Sequence, residues 1–281
     1  MSKILITGAT GFIGGHLVPA IQKAGHEVIG VNSASGDVAD PATWSKYPAA
    51  DIVIHLAGKS FVPASWADPS AFVHCNLMGT MEALNYCKKN NAKLVFLSSY
   101  LYGNPLSLPI AETATLAATN PYAFSKKLAE DACRFYAGNF GVDITILRPF
   151  NVYGVGQPKD FLIPSIIRQV KNREDIHVKD LEPKRDYIYV QDVVSAVLAA
   201  ITQIKGFNVF NIGSGESYSV AELITLIQQI SGTDLAVYSS GERRRDEIMN
   251  TVADITLAHQ KLNWSPKWSL KDGLKQIFDA E

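Results

Sequence analysis

Cysteine is scarce: three residues among 281, Cys75, Cys87 and Cys133, far apart and in helix-like contexts. With no Cys-x-x-Cys and no histidine-rich cluster, neither a disulfide framework nor a metal site is expected. Buried reduced thiols of a cytoplasmic protein fit better. No apolar run approaches the ~20 residues that a membrane span needs. The chain runs straight into a strand-like segment, which argues against a leader peptide. Charge of either sign is nearly balanced, Lys and Arg numbering 26 against 27 Asp and Glu. A net charge of -1 provides no global field to hold nucleic acid or an anionic membrane, though a local basic pocket is compatible with it. Internal repeats and low-complexity linkers are missing as well. What remains is an ordinary globular composition, 47% hydrophobic and 19% charged, long enough for one large domain or two smaller ones.

The first recognisable unit is a strand-like run, Lys3 to Thr7, that leads into a turn bearing Gly8, Gly11 and Gly14. Leu17, Val18 and Ile21 follow at helical spacing, Gly25 acts as a stop, and Glu27 to Val31 reads as a second strand. Strand, glycine turn, helix, strand is the phosphate-binding unit of a dinucleotide fold. The glycines let the backbone approach a pyrophosphate, whose charge meets the free N–H groups of the helix start. At the end of the second strand an acid would bind the ribose 2′-hydroxyl of NAD, and an arginine would accommodate the 2′-phosphate of NADP. Asn32, Ser33 and Ser35 stand there instead. They can bond either form, and the missing acid removes a repulsion, so the reading leans slightly to NADP with NAD open.

Further strand-like runs at 51–57, 93–99 and 143–148 alternate with helical segments at 69–90 and 121–139. The alternation predicts an α/β fold with a doubly wound parallel sheet. Ligands in such sheets bind beyond the carboxyl ends of the strands, which places Ala57 to Trp66 and Ser98–Ser99 on the cleft. Ser99 is suited to polarise a substrate oxygen, although a strand-end serine also serves as a cap or turn. On the helix at 121–139, Tyr122 and Lys126 lie one turn apart on one face. A phenol titrates near pH ~10, and an ammonium beside it favours the phenolate, which would make a general acid/base for neutral pH. Leu128, Ala132 and Phe135 are expected to face inward.

After Gly154 the alternation loosens. A helix is expected over 160–173, short strands near 176–178 and 185–190, a helix over 191–204 and a strand at 207–212. Ser219 is read as a helix cap with Glu222 at the capping-box position. A smaller substrate lobe interleaved with the dinucleotide domain follows: 1–153 and 186–212 for the Rossmann part, 154–185 and 213–281 for the lobe. Arg185 and the run Arg243 to Arg245 could hold phosphate oxygens bidentately. His55, on an apolar strand, reads as packed.

Several motifs occur together and in order: Gly8-x-x-Gly11-x-x-Gly14, His55-Leu56-Ala57, Asn76 to Thr80, Ser98-Ser99, Tyr102-Gly103, Tyr122-x-x-x-Lys126 and Arg148 to Gly154. They resemble the extended short-chain dehydrogenase/reductases that act on nucleotide sugars, across essentially the whole chain. Segments 55–63, 149–151 and 184–193 are similar to the GDP-4-keto-6-deoxymannose reductases.

The resemblance implies a catalytic group of Ser99, Tyr122 and Lys126. It implies a coenzyme, NADP or NAD, held by Gly8, Thr10, Gly11, Phe12, Ile13 and Gly14. Asn32, Ser33, Asp37 and Val38 would hold its adenosine end. Leu56, Ala57, Gly58, Lys59, Asn76 and Pro149 would complete the cofactor site with Tyr122 and Lys126. Phe61, Val62, Ser99, Tyr100, Asn151, Arg185 and Arg244 are implied on the substrate side, and a homodimer through the two long helices. Dehydratases of this family carry an Asp-Glu pair where Tyr100 and Leu101 stand, so dehydration is not expected. The loop before Tyr102 is one residue short, which leaves Ser98 beside Ser99 as an alternative. The implied activity is reduction of C4 of a nucleotide-linked 4-keto-6-deoxyhexose with NAD(P)H. The alternatives are a 4-epimerase using bound NAD and, third, a non-catalytic cofactor-binding sensor or scaffold.

Overall fold

A computed structural model describes residues 1–243 and 246–280. In chain order the elements are β1 (Lys3–Thr7), α1 (Phe12–Lys23), β2 (Glu27–Val31), α2 (Pro41–Trp44), β3 (Ile52–His55), α3 (Val62–Ala67), α4 (Pro69–Val73), α5 (Gly79–Asn90), β4 (Lys93–Leu97), α6 (Pro121–Phe140) and β5 (Ile144–Pro149). They continue as β6 (Asn151–Tyr153), α7 (Leu162–Lys171), β7 (Ile176–Val178), β8 (Lys184–Arg185), β9 (Tyr187–Tyr189), α8 (Val190–Thr202), β10 (Phe207–Ile212), β11 (Tyr218–Ser219), α9 (Val220–Ser231), β12 (Val237–Ser239), α10 (Thr256–Leu262) and α11 (Leu270–Ala280).

Six strands form one parallel sheet in the order β10-β5-β4-β3-β1-β2. The chain winds outward from β1 in both directions, so the carboxyl ends of β1 and β3 flank the crevice where such sheets hold ligands. Strand side chains alternate between faces. Ile4 and Ile6 therefore pack with α1 and α8 (Leu17, Ile21, Val193, Val197), while Leu5 and Val53 pack with α5 and α6 (Leu84, Ala129, Cys133). Coverage on both faces is why β3 and β5 are buried at every position. A third cluster joins α7, α9 and α11 through Ile166, Val170, Leu223, Ile227 and Leu274. Ala258, Leu262 and Trp264 pack into the same core as Ile4 and cross the expected division of the chain.

Local sequence explains the elements that carry the site. Asn120 caps α6 by accepting from the Ala123 amide at 2.9 Å, Pro121 fills the first turn, and Gly141 ends the helix at φ +68°. Its buried face is Lys126, Ala129, Glu130, Cys133 and Tyr136. Phe135, expected inward, is 56% exposed, and Leu128 and Ala132 are only partly buried. The neighbouring face turns to the sheet, with Ala129, Cys133 and Tyr136 in the core, Ala132 packed against it, and Glu130 in a buried ion pair with Arg148. The single helix expected over 69–90 contains a π-helical turn, His74–Met78, between α4 and α5. The link between β2 and β3 holds a 3-10 turn, Ser33–Ser35, and the four-residue α2. Ser219 and Glu222 form the expected capping box on α9. All three cysteines are free, with Cys87 and Cys133 buried and Cys75 half-buried. Among the described residues no helix is long and apolar enough to cross a membrane.

Candidate active site

The turn after β1 is shaped by what its glycines exclude. Gly8 has φ +71°, and a Cβ there would stand 2.9 Å from the Ala57 amide nitrogen. A Cβ on Gly14 would lie 2.1 Å from the Gly8 carbonyl oxygen, so no side chain fits. Gly11 is the N-cap of the twelve-residue α1 and offers no side-chain cap, which leaves the first amides of the helix to a ligand. Thr10 and Gly11 are exposed at the mouth, while Phe12 and Ile13 begin the helix half-buried. This cradle fits a dinucleotide pyrophosphate.

Opposite it, β3 ends at His55. That imidazole is fully buried, bonded to the Thr7 hydroxyl at 2.7 Å and stacked on Phe96, and burial drives its pKa down to about 3. It is packed, as expected. Leu56 and Ala57 bond back to Thr7, which carries the chain out to Gly58 and Lys59. Asn76 fixes this loop: its Oδ1 accepts the Lys59 amide at 2.8 Å and its Nδ2 donates to the Lys59 carbonyl at 3.0 Å. The same Nδ2 reaches the Ser125 hydroxyl at 2.8 Å, and Ser125 donates to the Tyr122 carbonyl. Asn76 sits in the π-helical turn, whose extra residue aims it at the loop, a recurring use of such bulges at functional sites. Asp37 and Val38 lie beyond β2, where Gly79 lets Val38 approach closely and Asp37 faces His74 at 3.3 Å. Pro149 closes β5 and is buried.

Lys126 is 5% exposed; its Nζ donates to the Leu97 carbonyl at 2.7 Å and sits 4.5 Å over the Phe96 ring. Burial lowers its pKa to about 8, against the opposing pull of Cys75, Glu130 and Cys133. Tyr122 keeps some surface open, yet the packing around its phenol pushes its pKa up to about 12, while a hydrogen bond with Ser99 pulls it back and Tyr100 adds to the rise. The expected depression of the phenol by the lysine is therefore not what this arrangement produces. The ammonium is directed at Leu97 and Phe96, and desolvation dominates.

Of the two serines, Ser99 engages Tyr122, whereas Ser98 is 4% exposed with its hydroxyl buried and unbonded among the described residues. Tyr100 stacks on Phe150 at 5.0 Å, and its hydroxyl donates to Asn151 Oδ1 at 3.2 Å. Asn151 is held in turn by the Asp186 carbonyl, through both its amide and its side chain. Phe61 caps α3, meets Phe161 edge to face at 5.8 Å, and is followed by half-buried Val62. Arg185, expected free for an anion, is paired with Glu247 and donates to the Ile248 carbonyl. Arg244 lies outside the described residues.

Sequence reasoning missed Ser125, the Leu97 carbonyl, and the buried network behind α6. There Arg148 holds Glu130 through two bonds of 3.0 and 2.6 Å and donates to the Tyr102 hydroxyl at 2.9 Å. The spacing Lys126-x-x-x-Glu130 was the only visible signal. Among the described residues no cluster of three or more His, Cys, Asp or Glu could hold a metal.

A glycine cradle at the switch point of a doubly wound sheet, with a phenol, an ammonium and a hydroxyl at the strand ends beside it, defines a dinucleotide-dependent enzyme. Residues 4–213 match the model of the NAD dependent epimerase/dehydratase family, and the chain belongs to that family. It is similar to a GDP-6-deoxy-D-mannose reductase of Pseudomonas aeruginosa, with 32% identity over 98% of this chain and 96% of the other. Among solved structures it resembles a UDP-glucose 4-epimerase of Thermotoga maritima with UDP-glucose, at 29% identity and TM-score 0.91, covering 99% of both chains. It equally resembles RMD of Pseudomonas aeruginosa complexed with NADPH, at 30% identity and TM-score 0.91, covering 99% of this chain and 98% of that one. The chain is thus an NAD(P)-dependent enzyme of the epimerase and reductase type.

Proposed function

We propose that the protein is a nucleotide-sugar 4-ketoreductase acting on a nucleotide-linked 4-keto-6-deoxyhexose. The observation that supports the reductase reading is the likeness, at 32% identity over 98% of this chain, to a GDP-6-deoxy-D-mannose reductase, together with a Tyr122 phenol hydrogen-bonded to Ser99. A protonated phenol is ready to act as an acid, which is what reduction of a ketone requires. The coenzyme, when bound, supplies the hydride. Tyr122 gives its proton to the C4 oxygen as charge develops there, and Ser99 donates a hydrogen bond to the same oxygen. Lys126, anchored on the Leu97 carbonyl, holds positive charge beneath the site, and Asn76 keeps the Lys59 loop and α6 in register. Tyr100 and Asn151 offer a polar edge to the sugar over the Phe150 ring. Arg185, and with it Arg244, would meet the diphosphate, Arg185 exchanging Glu247 for phosphate oxygens.

The likeness to the Thermotoga maritima epimerase supports a second reading, a 4-epimerase using tightly bound NAD and the same residues. Consumption separates them. Purified protein given a panel of nucleotide sugars with NADPH or NADH should oxidise the reduced coenzyme in proportion to 4-keto sugar. Interconversion of two nucleotide hexoses without added reductant would instead establish the epimerase. A scaffold or sensor without turnover is disfavoured by the retained Tyr122, Lys126 and Ser99. The outward stripe of Phe124, Leu128 and Phe135 on α6, with Met78 42% exposed just before α5, supports a homodimer through these helices. Sedimentation at micromolar concentration should give twice the chain mass. The division of the chain into a dinucleotide part and an interleaved substrate lobe belongs to the same proposal.

A further inference from the structure

The adenosine end of the cofactor site carries a feature that neither glycine turn nor strand ends announce. From β2 the chain enters a 3-10 turn, Ser33–Ser35. The Asn32 side-chain oxygen is committed to that turn: it accepts the Ala34 amide at 3.1 Å and the Ser35 hydroxyl at 3.3 Å. The nearest carboxylates downstream are also committed. Asp37 takes the Ala39 amide on one oxygen and faces His74 with the other, and Asp40 takes the Ala42 amide. No acid therefore stands at the end of β2 to bind a ribose 2′-hydroxyl.

A cation is present instead. Lys46, two residues beyond α2, folds back so that its Nζ donates to the Ser35 carbonyl at 2.9 Å. This bond fixes the ammonium over the turn and uses one of its three donors. Lys46 is exposed and makes no ion pair among the described residues. Ser33, exposed in the same turn, has a hydroxyl with no partner among those residues. An anchored ammonium with two free donors and no ion-pair partner among the described residues, with a free hydroxyl in the turn it holds, is the chemistry that recognises a phosphate monoester.

We infer that Lys46 and the Ser33–Ser35 turn form the subsite for the 2′-phosphate of the coenzyme, so that the enzyme prefers NADP(H) to NAD(H). The inference rests on the coenzyme site described above and deepens it by naming the phosphorylated form and the residue that selects it. Lys46 would be a specificity residue brought back from the segment just after α2, not from the strand end. Asp37 and Asp40 nearby reduce the local positive potential, so a single cation gives a moderate preference.

The test is a fluorescence titration of NADPH and NADH with the wild-type protein and with Lys46→Met, which keeps most of the apolar stem. The wild type should bind NADPH more tightly. The variant should lose about fivefold in NADPH affinity with NADH unchanged, and the wild-type preference should shrink as salt is raised. Adenosine 2′,5′-bisphosphate should compete better than AMP with the wild type and lose that advantage in Lys46→Met. The inference is overturned if both coenzymes weaken together, if neither changes, if the wild type prefers NADH, or if neither coenzyme binds. No sugar enters these titrations. A protein that selects NADPH through Lys46 yet reduces no 4-keto sugar defeats the ketoreductase reading alone; one that reduces such sugars with indifferent coenzyme use defeats only the Lys46 subsite.

Discussion

Lys126 Nζ donates to the carbonyl of Leu97, the last residue of β4, at 2.7 Å. The helix α6, which carries Tyr122, is thereby tied to the strand whose exit carries Ser99, and the ammonium is held in a nearly dry position. Its burial lowers its pKa to about 8, between the ordinary lysine value and neutrality. The lysine and the phenol are thus both biased by burial towards their neutral forms.

The first consequence concerns pH. Lys126 titrates near 8 in the folded chain and near 10.5 when unfolded. Below pH 8 both states hold the proton, and the cost of the buried charge is felt in full. Between 8 and 10.5 the unfolded chain binds more protons, so stability contributed at this site rises with pH. Denaturant unfolding at pH 7 and pH 10 should show wild type gaining on Lys126→Met by at most about 3 kcal/mol. A difference that is flat across this range would contradict the burial argument. Proton-dependent catalysis should follow the same group, with kcat/KM falling as pH passes 8.

Tyr122→Phe removes only the hydroxyl proposed to move the proton. Turnover should fall by about 10²- to 10⁴-fold, while coenzyme affinity measured by fluorescence stays within twofold of wild type. Unchanged kcat in this variant would remove Tyr122 from the mechanism.

Glu130→Gln leaves the Arg148 guanidinium, 3% exposed, without its bidentate partner. Stranding one member of a buried pair costs about 3–5 kcal/mol. Urea midpoints should drop accordingly, and the double variant Glu130→Gln/Arg148→Met should recover part of the loss. A single variant as stable as wild type would show that the pair is not holding α6.

Asn76→Ala cuts three hydrogen bonds that join the Lys59 loop, the π-helical turn and Ser125. Two of them satisfy the backbone of Lys59, and their loss frees the loop beside the cofactor cradle. Coenzyme affinity should weaken by about tenfold, corresponding to the net worth of one or two hydrogen bonds. Titration with NADPH and NADH measures it, and equal affinities for wild type and variant would assign Asn76 to folding alone.

The strand-turn-helix opening, the alternation that builds the parallel sheet, the Tyr122–Lys126 spacing and the Ser219 cap were legible because each depends on neighbours in sequence. Glycine spacing, helical period and strand hydrophobicity carry that information locally. The inward face of α6 was not legible. Phe124, Leu128 and Phe135 make an apolar stripe indistinguishable by period from a core face, and only tertiary contacts show which face is inward: Ala129, Cys133 and Tyr136 in the core, and Glu130 on Arg148 18 residues away.

By itself, then, the sequence determined the fold class, the glycine turn after β1 and the side chains proposed to react. Tertiary packing decided their protonation, because desolvation depends on what surrounds a group in space. It also decided which serine meets Tyr122, where Arg185 finds its partner, and that Lys46 returns to the end of β2. Those relationships join residues that the chain keeps far apart, and no local pattern encodes them.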